Sequence, residues 1–141
     1  MLQGWGLGRG PYRVGTMGIS MGGYGAILFA ELHSSLFSAV AAISPAVWTS
    51  YAQASAVNAG AYDSAVQFAR YDVVAHAGAI AHTPVRVASG FADPFHPGVV
   101  ALAERLSPSA EVVFTSGCHT GPFFNSELPA SLAFLADHLS S

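Results

Sequence analysis

One six-residue stretch constrains this chain more than any other. Gly18-Ile19-Ser20-Met21-Gly22-Gly23 satisfies G-x-S-x-G, and it separates an apolar run, Arg13 to Ile19, from a run, Gly22 to His33, whose Ile27, Leu28 and Leu32 recur at helical spacing. Strand, tight turn and helix therefore follow one another directly. That context predicts a strained turn that lifts Ser20 above the end of its strand, with Gly18 and Gly22 small so that strand and helix pass closely. Ser20 is then a candidate nucleophile, and the backbone N–H of Met21, at the helix N-terminus, a candidate donor to an oxyanion. The competing reading is a glycine-rich turn with an incidental serine.

The rest of the chain repeats the alternation. Phe37 to Ile43, Val85 to Ser89 and Glu111 to Thr115 read as three further short strands. Gly98 to Leu106 and Leu128 to Leu139 read as helices, the second with Pro129 in its first turn. Strands alternating with helices predict an α/β fold with a mostly parallel sheet of about four strands and flanking helices. The stretch from about 46 to 83 breaks the rhythm and reads as an insertion of loops and short helices within a single domain, 1–141. Its place after a strand puts it over the C-terminal sheet edge, where it serves either as connecting structure or as a lid.

Composition narrows the function. Of the 141 residues 52% are hydrophobic and only 9% charged, which excludes disorder and suits strands buried on both faces. No apolar run reaches the ~18 to 20 residues of a membrane span. Met1 to Gly10 has no hydrophobic stretch of the secretory kind, so the expected location is cytoplasmic by default. A net charge of −3 with no lysine leaves no basic stripe for nucleic acid. A single cysteine, Cys118, and scattered histidines without an i, i+4 pair leave no metal site, and no cofactor is expected.

A serine nucleophile at a strand-to-helix turn needs an acid and then a base further along the chain. Asp93, in the turn after Val85–Ser89, is the candidate acid, since Asp63 and Asp72 lie in the insertion away from any strand end. His119, in the loop after Glu111–Thr115, is the candidate base: its Nε2 takes the Ser20 proton while Asp93 holds the other ring nitrogen. His33 and His138 lie on helices, and His76 and His82 in the insertion. His96 either lines the site or is a solvated loop histidine. Tyr24, Trp48, Phe95, His96 and Phe123 form the candidate substrate-binding set; Tyr51 and Phe124 are further aromatics of the same kind, and plain core is the competing reading for these aromatic residues.

With these residues placed, the sequence resembles the α/β-hydrolase superfamily, and within it the "putative esterase" branch that includes esterase D-like enzymes and mycolyltransferases. The matching stretches are GISMGGYGA (18–26), FSAVAAISPAVW (37–48), SGFADPFH (89–96) and SGCHTGPFFNSELPASLAFL (116–135). The resemblance implies a carboxylic ester hydrolase, or an acyltransferase of mycolyltransferase type, with a small-molecule acyl ester as substrate. Cys118 and Thr120 flank His119 where many relatives carry Gly and Asp. In this superfamily the nucleophile follows the fifth strand, yet only nineteen residues precede Ser20. The expectation is therefore the C-terminal half of the fold, without the loop that brings a second oxyanion donor. Such a chain is a weak catalyst or one that needs a partner, and its first strand is an open edge suited to a homodimer unless Met1–Pro11 covers it.

Overall fold

The computed structural model describes residues 13–140; the expectation for Met1–Pro11 lies outside them. Four strands, β1 (Gly15–Ile19), β2 (Ala39–Ile43), β3 (Val85–Gly90) and β4 (Glu111–Thr115), form one parallel sheet in the order β1-β2-β3-β4. Six helices connect and cover them: α1 (Met21–Leu32), α2 (Tyr51–Val57), α3 (Ala65–Arg70), α4 (Val73–His76), α5 (His96–Ala103) and α6 (Gly121–Leu139). A 3-10 turn, Ala77–Ile80, follows α4.

The register explains why distant residues meet. Ile19 pairs with Ile43, Ile43 with Ala88, and Gly90 with Thr115, so β1, β3 and β4 end on one edge. Ser20 is the first residue past β1, Asp93 the third past β3 and His119 the fourth past β4. The parallel sheet thus delivers three separate loops to one place.

Every residue of β2 and β3 is buried, as expected for central strands covered on both faces. Val40, Ala42, Val85 and Val87 pack under Ile27 and Ala30 of α1, Val73 of α4 and Val99 and Leu102 of α5. Each such branched side chain contributes ~1.5–3 kcal/mol through burial. The opposite face takes α6, where a buried arginine of β3 is anchored. Arg86 donates from Nε to Glu111, from Nη1 to Ser131 and from Nη2 to Glu127, each at 2.8 Å. The only hint of this in the sequence is one Arg inside a β-branched strand.

The structure corrects several boundaries. The insertion is helical where side chains cap it: Ser50 accepts from Gln53 N, Ser64 from Gln67 N, and Asp72 from Val74 N and Ala75 N. Val73, Ala77 and Ile80 then join the core, so this end of the segment is structural. Helix α5 starts at His96, two residues before the expected Gly98. Helix α6 starts at Gly121, not Leu128, because Pro122 opens its first turn and leaves Pro129 inside. Pro129 withdraws an N–H from the carbonyl of Asn125. Both residues are exposed, so water can satisfy that carbonyl.

Candidate active site

Ser20 has φ 57° and ψ −122°, a conformation rare for a residue with a side chain. Three backbone hydrogen bonds of 3.0 Å hold it there: its N–H donates to Ile43 O, and its carbonyl accepts from Tyr24 N and Ala46 N. The end of β2 therefore braces the turn from below. A side chain at Gly18 would run into the backbone of Gly22 and Gly23, so glycine is required there. At Gly22 a Cβ would meet nothing within 4 Å; the second close approach is made by Gly23, whose Cβ would lie 3.2 Å from Pro45. Gly23, and not the expected Gly22, is thus the glycine that lets the helix pass closely.

Asp93 and His119 are brought together by another crossing of loops. Phe91 N donates to Thr115 O and Ala92 N to Gly117 O, both at 2.9 Å, and a side chain on Gly117 would strike the ring of Phe123. The result is an unbroken chain of hydrogen bonds. His119 Nδ1 lies 2.9 Å from Asp93 Oδ2, and His119 Nε2 lies 2.9 Å from Ser20 Oγ. A carboxylate only accepts, so Nδ1 carries the proton and Nε2 accepts from the serine hydroxyl. Asp93 is 3% exposed, and its Oδ1 accepts from Phe95 N at 2.8 Å. Such an arrangement can pass a proton from Ser20 to His119 while the buried carboxylate holds the ring. Met21, as the first residue of α1, has a backbone N–H without an intrahelical acceptor, beside Ser20 Oγ in sequence.

The substrate-binding candidates divide. Phe95 stands edge-to-face with His119 at 5.1 Å between ring centres, and Trp48 with Phe95 at 4.7 Å. Phe123 does not join them: it is 5% exposed and packs under Gly117. Its neighbour Phe124 meets the His119 ring instead, at 5.0 Å. Tyr24 turns toward the insertion, donating to Tyr71 O at 2.7 Å and accepting from Tyr62 at 2.9 Å. Burial raises its hydroxyl pKa well above the ordinary tyrosine value, with the Tyr62 hydrogen bond adding to the shift. His96 is no solvated loop residue, for it opens α5, sits between Phe91 and Phe114, and has Nδ1 3.2 Å from Ser89 Oγ. Its backbone N–H donates to the Asp93 carbonyl at 3.0 Å, but its imidazole has no hydrogen bond to Ser20, Asp93 or His119.

Cavity size does not point to this place. A depression of about 780 Å³ lies at the opposite sheet edge, between Thr83, Ser107, Glu111 and Phe134. The hydrogen-bonded geometry marks the C-terminal edge more specifically than volume does. Among the described residues no cluster of three or more His, Cys, Asp or Glu is placed to hold a metal, and no helix is long and apolar enough to cross a membrane.

The four-stranded parallel sheet with its serine turn is an α/β-hydrolase fold, and the chain aligns with solved structures of that class. They include a ferulic acid esterase (18% identity, TM-score 0.69, covering 87% of this chain and 51% of that one). An S-formylglutathione hydrolase from Agrobacterium tumefaciens matches at 22% identity and TM-score 0.67, over 87% and 48%. MPT51 of Mycobacterium tuberculosis matches at 18% and 0.74, over 98% and 64%. The chain spans about half the length of the first two. The family described as "Putative esterase" matches residues 8–135, and the chain belongs to it. No curated protein matches the sequence significantly.

Proposed function

We propose that this chain is a serine hydrolase of carboxylic esters. The observation that carries the reading is the continuous Asp93–His119–Ser20 hydrogen bonding at the C-terminal sheet edge, in a chain of an esterase family. Ser20 Oγ attacks the acyl carbonyl as His119 Nε2 takes its proton, and the oxyanion that forms accepts from Met21 N–H. The same proton then passes to the departing alcohol, leaving the acyl group on Ser20. Water, deprotonated by His119, releases the acid and restores the serine. Trp48, behind the Phe95 ring, leaves this end of the sheet apolar, which favours an apolar acyl group.

The test compares wild type with Ser20→Ala on p-nitrophenyl acetate, with mass spectrometry of the quenched protein. Ser20-dependent release of nitrophenol and a transient acetyl adduct on Ser20 are expected; equal rates in both proteins would refute the reading. Adding a primary alcohol and assaying for a new ester separates hydrolysis from acyl transfer. An adduct that forms but does not turn over would favour a weak catalyst that needs a partner. Strand β1 lies at the sheet edge beside the exposed Met21, Phe29 and Leu32 of α1, and this edge is proposed as a self-association surface. Sedimentation over a dilution series tests that proposal, and a monomer at every concentration rejects it.

A further inference from the structure

His119 has more neighbours than a proton carrier requires. Its two nitrogens are held by Asp93 and Ser20, yet the side chain is 23% exposed, so water can compete for either nitrogen once the ring rotates. Two phenyl rings stand against that rotation. Phe95 meets the imidazole at 5.1 Å with an interplanar angle of 61°, and Phe124 meets it at 5.0 Å and 82°. Both are separations at which perpendicular aromatic pairs attract beyond simple burial.

The two phenylalanines are themselves tied to the parts they touch. Phe95 donates its N–H to Asp93 Oδ1, while Asp93 Oδ2 accepts from His119, and Trp48 backs the Phe95 ring at 4.7 Å. One residue thereby aligns the carboxylate with its backbone and bounds the imidazole with its ring. Phe124 donates its N–H to Thr120 O at 3.0 Å, so its ring moves with the loop that carries His119. The residue beside it, Phe123, anchors that loop at Gly117.

We infer that Phe95 and Phe124 are positioning residues that clamp the His119 imidazole in the plane joining Asp93 to Ser20. Neither exchanges a proton; each limits the rotation that would break both hydrogen bonds together. The kinetic consequence rests on the proposed hydrolase reading, whereas the geometric one does not.

Phe124→Leu and Phe95→Leu are each expected to lower kcat about three- to tenfold with little change in KM, the size of one aromatic pair. Phe124→Tyr, which keeps the ring, restores the rate. The proton NMR signal of His119 Nδ1–H, read in the full chain without substrate, supplies the second measurement. It is expected downfield and protected from exchange in wild type, broadened in both Leu variants, and recovered in Phe124→Tyr. Phe114→Leu, which removes a ring packed on His96, leaves signal and rate unchanged. Near-UV circular dichroism checks that the variants fold, and Phe95→Leu stands in should Phe124→Leu fail to. A protected Nδ1–H signal in both Leu variants overturns the inference, even if kcat falls, because the rings would then act on substrate. Absence of Ser20-dependent turnover in wild type refutes the hydrolase reading alone, and the NMR comparison still decides the clamp.

Discussion

Two carboxylates are buried to nearly the same depth on this chain and meet opposite circumstances. Asp93, 3% exposed, accepts from His119 Nδ1 and from Phe95 N. Glu31, 8% exposed on α1, has both oxygens buried with no hydrogen-bond partner. Burial, helped by the nearby charge of Asp72, pushes the Glu31 carboxyl up to about 8. Depth alone therefore does not decide what a buried acid does. At the sheet edge, loops converge and bring donors to the carboxylate; on the buried face of α1 no donor reaches Glu31. Arg86 extends the lesson to the other sign of charge, since it is 2% exposed and all three of its guanidinium nitrogens have partners.

The largest expected effect tests the paired acid. Asp93→Asn keeps the shape but favours the wrong His119 tautomer, so activity is expected to fall ~10⁴-fold, as in another triad, with little change in unfolding temperature. Asp72→Asn serves as the control and leaves the rate nearly unchanged. An equal loss in Asp72→Asn would move the acid into the insertion.

Removing the paired base of the opposite face comes next. Arg86→Met strands Glu127, whose side chain is 12% exposed, and is expected to cost ~3–5 kcal/mol in urea unfolding. Adding Glu127→Leu to Arg86→Met should recover part of that loss. No recovery would mean that the arginine acts through packing and not through pairing.

For the unpaired acid the sign reverses. Glu31→Leu removes a buried group that has no partner and is expected to stabilise the chain by ~1–3 kcal/mol at high pH. The folded state holds this proton up to about pH 8, whereas the unfolded chain releases it near the ordinary glutamate value of 4.5. Protons bound in the native state then exceed those in the unfolded state between the two values, so wild-type stability declines as pH rises through this window. Thermal unfolding from pH 4 to 9 should show that decline in wild type and a flatter profile in Glu31→Leu. Parallel profiles would show that Glu31 finds a partner in solution.

The smallest effect concerns Ser44, buried beneath the serine turn with φ 46° and an Oγ that has no partner. Ser44→Ala should be neutral or stabilising by up to ~1 kcal/mol with activity retained. A marked loss of activity would mean that this hydroxyl braces Ser20.

Much of the site was legible because strand ends are written locally. Short apolar runs and the glycines after them place Ser20, Asp93 and His119 each just beyond a strand, and a parallel sheet carries such ends to one edge whatever the sequence between them. The close approach expected at Gly22 falls one residue later, at Gly23, because which glycine of a pair meets the neighbouring backbone depends on the turn's dihedral angles. Arg86 and Glu31 were missed for a related reason. A charged residue does not announce its burial, although Glu31 falls four residues after Ile27, on the helix face that the core takes.

What the sequence by itself determined is the order of elements, the parallel sheet and the three loops that meet at its C-terminal edge. The tertiary structure alone decided which aromatic ring faces His119. Adjacent helical residues point about 100° apart, so the choice between Phe123 and Phe124 follows from the phase of α6. That phase is set by where the helix starts and how it docks on the sheet. Its start at Gly121 turns Phe123 under Gly117 and Phe124 toward the imidazole. Local pattern reports that a helix forms there, but only packing against the rest of the chain fixes its rotation.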